Sequence, residues 1–588
     1  MKRKTKQFLI PIKKSKDLEC NHEIYPSHSI SHGNIAVGYQ TLAEELSKKH
    51  ILLLDGYLGV DWNEVISSLI TVFRHKGLSI NTISVLDYLK SEVEINTLIE
   101  PYLGRDNPLF GFKTDKKISD FFDPKKLKTV QIKENVDINI VYGSGASQLL
   151  DKGHLVYFDL PKNELQYRMR ANCVNNFGMN KTSDVKQMYK HAYFVDWVIL
   201  NKEKKRILPD IDIIVDQQRP ANPTWMTGKS LRDSLTKLST SFFRVRPWFE
   251  PGVWGGTWIK DKFPKLNKEV PNYAWSFEMI VPENGLLFED NDILLEVSFD
   301  MLMYHEQKNI LGKASEIFKD EFPIRFNFLD TFKGDNLSVQ CHPSAEYIKN
   351  EFGENFTQDE TYYILDTGSN SHVYLGFQED INPDEFKKRL KDSITNNEEV
   401  AIEKYVQKLP SHKHDLFLIP HGTVHCSSIN NLVLEISATP YIYTFKMYDW
   451  LRLDLNGQAR PLNLDHAFQN LNFERKGSTV TDTLISKPVI VENRKDWRKI
   501  YLPTHPDHFY EIYRYEFQDE ISIKTLDQCH ILMLVEGNKI VVEQKSISQV
   551  FHFAETFVIP AAAKRYKLIN KSTKMAKVIV SFVKEEIC

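Results

Sequence analysis

Leu337-Ser338-Val339-Gln340-Cys341-His342-Pro343 reads as a short strand that carries a polar pair two residues apart. Side chains on a strand alternate between faces, so Gln340 and His342 point one way and Cys341 the other. Downstream lie Asp359-Glu360-Thr361-Tyr362-Tyr363-Ile364 and the turn Leu418-Ile419-Pro420-His421-Gly422-Thr423-Val424-His425. An amide oxygen, two imidazoles and a carboxylate make a mixed N/O set suited to zinc or a similar divalent ion. Cys426 alternates away from His425, which weakens it as a ligand. Taken alone, Gln340 and His342 read more readily as two satisfied side chains on a half-buried strand. The spacing His421 to His425, around Pro420 and Gly422, also lacks the Glu and the helix of a metalloprotease motif.

Working outward, the chain from about Pro247 has short alternating strands punctuated by Gly, Pro, Asn and Asp, the texture of an antiparallel sandwich or barrel. Gly285 to Asp292, Leu337–His342, Thr361–Leu365 and Val373–Gly376 are its clearest strands. Asp384 to Gln407 interrupts them: it is charged and places Phe386, Leu390, Ile394, Val400, Ile402 and Val406 at uneven helix-like spacing, which predicts a helical insertion. A second β region runs from about Val489 to the end, with Ile531 to Val542 and Thr556 to Pro560 as strand segments. Before residue 235 the rhythm differs. Ile51–Leu54, a helical stretch from Asp61 to Phe73, and Ile80 to Leu86 alternate as βαβ units do, predicting a mainly parallel sheet. Asp137–Val141 and Leu155–Asp159, the latter ahead of a helix from about Pro161, extend the pattern.

Several ordered motifs together resemble the type I mannose-6-phosphate isomerases, zinc enzymes built from cupin domains, which are small double-sheet jelly rolls. They are Ser338 to Pro343, Glu360 to Ile364, Ile419 to His425, Leu432 to Ile436 and Met447-Tyr448-Asp449-Trp450. Val253-Trp254-Gly255-Gly256 is similar to the WGG near the start of bacterial members, and Glu536-Gly537 with Ile559-Pro560-Ala561 is similar to their second, metal-free cupin. The resemblance covers about residues 245–588. It implies one Zn²⁺ per chain held by Gln340, His342, Glu360 and His425, a phosphosugar substrate, and interconversion of mannose 6-phosphate and fructose 6-phosphate through an enediolate. Two cationic substrate contacts depart from the family. Gln358 stands where it has Lys, and Lys446 where it has a catalytic Arg; His421 also occupies a usual Ala position. Lys446 and Glu435 are the candidate catalytic residues, Lys446 in the Arg position and Glu435 as an acid/base or hydroxyl acceptor on the strand after the metal turn. A non-catalytic phosphosugar or nucleotide sensor, or an isomerase of an unphosphorylated sugar, is the alternative.

His50 to Asn63 resembles the loop of P-loop nucleoside kinases, and Leu155–Asp159 followed by Arg168 and Arg170 resembles their lid region. A working loop ends Gly-Lys-[Ser/Thr], because Lys reaches the phosphates and the hydroxyl reaches Mg²⁺. Asp61, Trp62 and Asn63 stand there instead, and Asp61 with Glu64 fits a capping box whose carboxylate takes the amides a phosphate needs. The expected architecture is therefore multidomain: a degenerate P-loop-like α/β domain (1–235), a metal-binding cupin with a helical insertion (236–488) and a metal-free cupin (489–588).

Composition is that of an ordinary globular protein rather than a disordered or fibrous one. The 588 residues are 42% hydrophobic and 26% charged, with a formal charge of −3, which argues against nucleic acid as a partner. No apolar run reaches the roughly 18–20 residues that cross a bilayer, and no hydrophobic signal follows the basic start, so a cytoplasmic protein without a membrane partner is expected. Six scattered cysteines without CxxC spacing read as free thiols. Oligomeric state is not legible.

Overall fold

The computed structural model describes residues 2–15, 21–105, 107–281, 283–455 and 457–588; Cys20 lies outside them. The first half of the chain builds a seven-stranded sheet. Five strands are parallel, with Ile51–Gly56 at the centre, His154–Asp159 then Ile213–Asp216 on one side, and Ile138–Tyr142 then Ile80–Ser84 on the other. Thr224–Thr227 and Ala36–Val37 finish one edge antiparallel. The run of leucines in the central strand follows from burial on both faces: Leu52, Leu53 and Leu54 are all buried. Helix Trp62–His75 covers the sheet with Val65, Leu69 and Phe73, spaced every fourth residue. Asp61 caps this helix by accepting from the Glu64 amide. Glu64 does not return the bond: its carboxylate accepts from the Ser68 hydroxyl at 3.0 Å, while the Asp61 amide approaches the Gln217 side-chain oxygen at 3.4 Å.

Ligands of open α/β sheets bind where the parallel strands end. Here that crevice is filled by the chain itself. The Asp55 carboxylate accepts from the amides of Gly56, Gly145 and Ser147 at 2.7, 2.8 and 2.9 Å. Arg168, fully buried, donates to the Gly59 carbonyl at 2.8 Å. Beyond them a hairpin, Gly285–Asp290 and Ile293–Ser298, closes over the strand ends: Ser298 donates through its amide (2.6 Å) and hydroxyl (2.8 Å) to Asp159, and the Glu296 amide donates to Asp216 (3.1 Å). Lys204 lies between Asp159 (3.4 Å) and Asp300 (3.1 Å), and its ammonium sits 4.3 Å from the centre of the Tyr57 ring. Ser27–Ser29 pairs in parallel with the first strand of the hairpin, so chain before the α/β sheet joins the later half.

That later half contains two pairs of antiparallel sheets. In the first pair, a six-stranded sheet has Asn431–Ala438 between Glu360–Thr367 and Ile324–Asp330, and a five-stranded sheet has His425–Ser427 between His372–Phe377 and Val339–Cys341. In the second, a six-stranded sheet centred on Tyr510–Phe517, Ala576–Val583 and His530–Glu536 packs with a four-stranded sheet that includes Lys539–Gln544 and Arg565–Asn570.

The helical expectation for Asp384 to Gln407 holds only in its first half. The helix is Pro383–Asn396, and Asn397 ends it in the left-handed region at φ 55°. Val400 and Ile402 are buried in the segment that follows, and Val406 opens the edge strand Val406–Pro410. The uneven apolar spacing is thus two periods placed end to end. Asp300–Leu311, Ala345–Phe352 and Leu464–Asn470 are helices that the alternating texture did not announce.

Candidate metal centre and its cavity

The first sheet pair brings its polar residues together from both layers. Gln340 lies on strand Val339–Cys341, paired in register with His425 on one side and Lys446 on the other. His342 follows the same strand, whereas Glu360 opens a strand of the opposing sheet. Cys341 and Cys426 point into the core, as strand alternation requires. His342, Glu360 and His425 are almost fully buried, and each offers one atom to a common point, all within 4.8 Å of one another. Glu360 approaches His342 Nε2 at 3.2 Å and His425 Nε2 at 2.9 Å. Gln340 comes within 3.3 Å of the same His425 nitrogen, and a half-turn of its amide presents Oε1 there instead of Nε2.

Both imidazoles are oriented from behind. His342 Nδ1 faces the Tyr443 carbonyl at 3.1 Å, and His425 Nδ1 faces the Thr423 carbonyl at 2.9 Å. A carbonyl can only accept, so each Nδ1 carries the proton and each Nε2 turns its lone pair inward, as in metal-bound histidines. His342 Nε2 and Glu360 Oε1 are buried without a hydrogen bond. Buried orphan acceptors are costly, so a cation among them fits the donor set. The turn that delivers His425 is held by Arg475, which donates to the Pro420 carbonyl at 3.1 Å and the Thr423 hydroxyl at 2.7 Å. His421 belongs to the same turn: its ring and its amide both reach Asp359, at 2.9 and 2.8 Å. Gly422 sits at φ 75°, and a Cβ there would lie 2.5 Å from the Asn470 carbonyl, so glycine is required.

A cavity of about 500 Å³ opens on this cluster. Gln340, Gln358, Glu360, Glu435 and Lys446 all line it. Glu435 is 4% exposed and is held in a network that the sequence alone did not suggest: Arg325 pairs with it closely, the Asn327 amide donates at 2.9 Å and the Ser437 hydroxyl at 2.8 Å. Burial raises the Glu435 carboxyl above its usual range while Arg325 opposes the rise. Gln358 turns its amide nitrogen toward Glu360 at 3.3 Å and leaves its oxygen without a partner. Lys446 is half-buried; burial lowers its ammonium to about 8, with Arg460, Arg452 and Lys186 adding to the effect and Asp449 opposing it. Trp254, buried edge-on against Trp275 at 4.7 Å, faces the cavity as well as the core. Arg325 and Asn327 on strand Ile324–Asp330, and a wall from the α/β half that includes Arg170 and Tyr189, have no motif around them to mark them in advance.

The double-sheet fold encloses a buried His, Glu and His cluster, and part of the chain has named relatives. Over 232 residues, 40% of this chain and 68% of the relative, the sequence is 26% identical to the mannose-6-phosphate isomerase ManA of Bacillus subtilis. It is 24% identical over 247 residues to the mannose-6-phosphate isomerase of Streptococcus mutans, of which 72% is covered. Part of this chain is thus homologous to mannose-6-phosphate isomerases. Among solved structures, the mannose 6-phosphate isomerase of Bacillus subtilis aligns with 58% of this chain and 99% of its own, at TM-score 0.47 and 20% identity. A mutant form of phosphomannose isomerase from Salmonella typhimurium aligns with 58% of this chain and 100% of its own, at TM-score 0.46 and 13% identity. Residues 38–240 match a family described as "Domain of unknown function (DUF8485)". Among the described residues no helix is long and apolar enough to cross a membrane.

Proposed function

We propose that the protein is a zinc-dependent aldose–ketose isomerase that interconverts mannose 6-phosphate and fructose 6-phosphate. The observation that carries this reading is the convergence of His342, Glu360 and His425, with two orphaned acceptor atoms, beside a sugar-sized cavity that Glu360 and Gln340 line. The names of the relatives that match part of the chain support the substrate. Gln340, His342, Glu360 and His425 would hold the ion, which when bound supplies Lewis acidity toward the sugar carbonyl. The chain's own residues do the rest. Isomerisation moves a proton between C1 and C2, so a base must stand at the cavity wall, and Glu435 is the lining carboxylate not required as a ligand. Arg325 and Asn327 fix its orientation and favour its charged form. Lys446 supplies positive charge for the phosphate. The α/β half is a degenerate kinase-like domain in this reading, since Asp55 and Asp61 already occupy the amides, and Arg168 the loop carbonyl, that a nucleotide site would use.

The test is ketose formation from mannose 6-phosphate and from free mannose, by purified protein with and without chelator. Metal-dependent fructose 6-phosphate supports the reading. Turnover unaffected by exhaustive chelation removes the metal from it, and tight phosphosugar binding with no ketose under replete zinc replaces the enzyme by a sensor.

A further inference from the structure

The cavity is not walled by the metal-binding sheets alone. Gln166, Met169 and Arg170 come from helix Lys162–Arg170, and Val185, Lys186 and Tyr189 from helix Val185–His191, all in the α/β half. The two halves are joined at this wall by direct contacts. Tyr189 and Tyr441 bring their hydroxyls to 3.2 Å, Gln166 donates to Glu283 at 3.1 Å, and Arg170 pairs with Glu250 at 3.2 Å. The wall is therefore a fixed part of the cavity.

Charge is distributed over it in an informative way. The cations lining the cavity are Arg170, Lys186, Arg325, Lys446 and Arg460. Arg325 is neutralised by Glu435, Arg170 by Glu250 and Arg460 by Asp449. Lys446 and Lys186 make no ion pair among the described residues, although one is a strand residue of the metal-binding sheet and the other a helix residue of the α/β half. They are close enough for Lys186 to disfavour the charged form of Lys446. Two uncompensated ammonium groups facing one cavity repel each other until an anion lies between them.

We propose that Lys186 and Lys446 together form the phosphate subsite of the cavity, so that the α/β half supplies a specificity-determining residue to the site. This rests on the isomerase reading for the identity of the sugar, but not for the anion. It also gives the departures from the family pattern a physical sense. A lysine is a compact charge on a flexible stem rather than a bidentate fork, and a second ammonium from the α/β half gives an anion two contacts where Lys446 alone gives one. Lys186 touches neither the metal cluster nor the reacting carbons in this arrangement; it fixes the far end of the substrate.

The experiment uses the full-length zinc-loaded chain, with inorganic phosphate as the calorimetric probe and mannose 6-phosphate as the kinetic one. Lys186 is exposed on its helix, so Lys186→Ala should fold normally, with unchanged metal content and thermal midpoint. Phosphate affinity is expected to fall at least about tenfold in Lys186→Ala and to persist in Lys186→Arg, with KM for mannose 6-phosphate rising to match and kcat staying within about twofold. Turnover of free mannose, where measurable, should not respond. An active wild type whose phosphate affinity and KM are both indifferent to Lys186→Ala overturns the subsite and leaves the isomerase standing. A wild type with Lys186-dependent phosphate binding but no isomerisation does the reverse. Absence of phosphate binding by the wild type also overturns the subsite.

Discussion

The two antiparallel sheet pairs are built alike and filled differently. Between the sheets that carry residues 324–448 sit His342, Glu360, His425 and Gln340, and around them Arg325, Asn327 and Glu435. The interior of the last pair is almost wholly apolar: Phe517, Leu532, Leu534, Val542, Phe557 and Val580 are fully buried. The internal histidine of that pair, His530, is satisfied by the Tyr566 hydroxyl at 2.9 Å and stacked on Phe582. A mostly apolar interior offers a cation few donors, whereas converging His342, Glu360 and His425, with two of their atoms lacking a hydrogen bond, favour a bound ion. The comparison separates a mostly apolar sheet pair from one with a polar interior, without appeal to sequence similarity.

The sharpest way to break the contrast is to remove a donor from the polar interior. Glu360→Gln should lower turnover by at least about three orders of magnitude, equivalent to roughly 4 kcal/mol of activation free energy, and elemental analysis should find sub-stoichiometric metal. Wild-type metal content in that variant would remove Glu360 from the ligand set.

Arg325→Ala leaves Glu435 buried without its ion-pair partner, and stability should fall by about 3–5 kcal/mol. Arg325→Ala combined with Glu435→Leu should recover much of that loss in denaturant unfolding while remaining inactive. Failure to recover would mean that Arg325 contributes through packing rather than through the pair.

In the apolar interior, Phe557→Ala removes a ring stacked 4.2 Å from Phe551 and should cost about 3–5 kcal/mol. Metal content of the folded fraction should stay stoichiometric. Loss of metal in this variant would show that the two sheet pairs are one cooperative unit at the site.

The smallest effect concerns pH. Burial pushes the His530 imidazole down to about 3, so the folded chain keeps it neutral while the unfolded chain protonates it near 6.5. The unfolded state therefore binds an extra proton between those values, and stability is lost as pH falls from about 6.5 toward 3. His530→Gln should flatten that part of the dependence in urea midpoints measured from pH 7 down to 4; an identical slope in the variant would assign the acid sensitivity to other groups.

Much of the fold was legible along the chain because local periodicity carries it. The leucines of Ile51–Gly56, the fourfold spacing in Trp62–His75 and the Asp61 cap each announce their own element. The strands Glu360–Thr367 and His372–Phe377 appear within two residues of where alternation placed them. Alternation put Gln340 and His342 on one strand face but did not mark them as ligands; the set with Glu360 and His425 came from the resemblance of several ordered motifs, because residues from opposing sheets share no local period. Helix Ala345–Phe352 and the change from helix to strand near Asn397 were not, because short elements bury too few residues to show a period.

Which residues share a face can be read along the chain, since that depends only on the geometry of a single strand or helix. Which faces meet was decided by the tertiary structure. Arg325 finds Glu435 because strands Ile324–Asp330 and Asn431–Ala438 pair side by side. Lys186 reaches the cavity because an α/β half closes against a sheet more than 250 residues later, as Lys446 attests. A charge facing another across such a distance in sequence leaves no periodic trace; only the docking of two surfaces, driven by the apolar area each removes from water, brings it there.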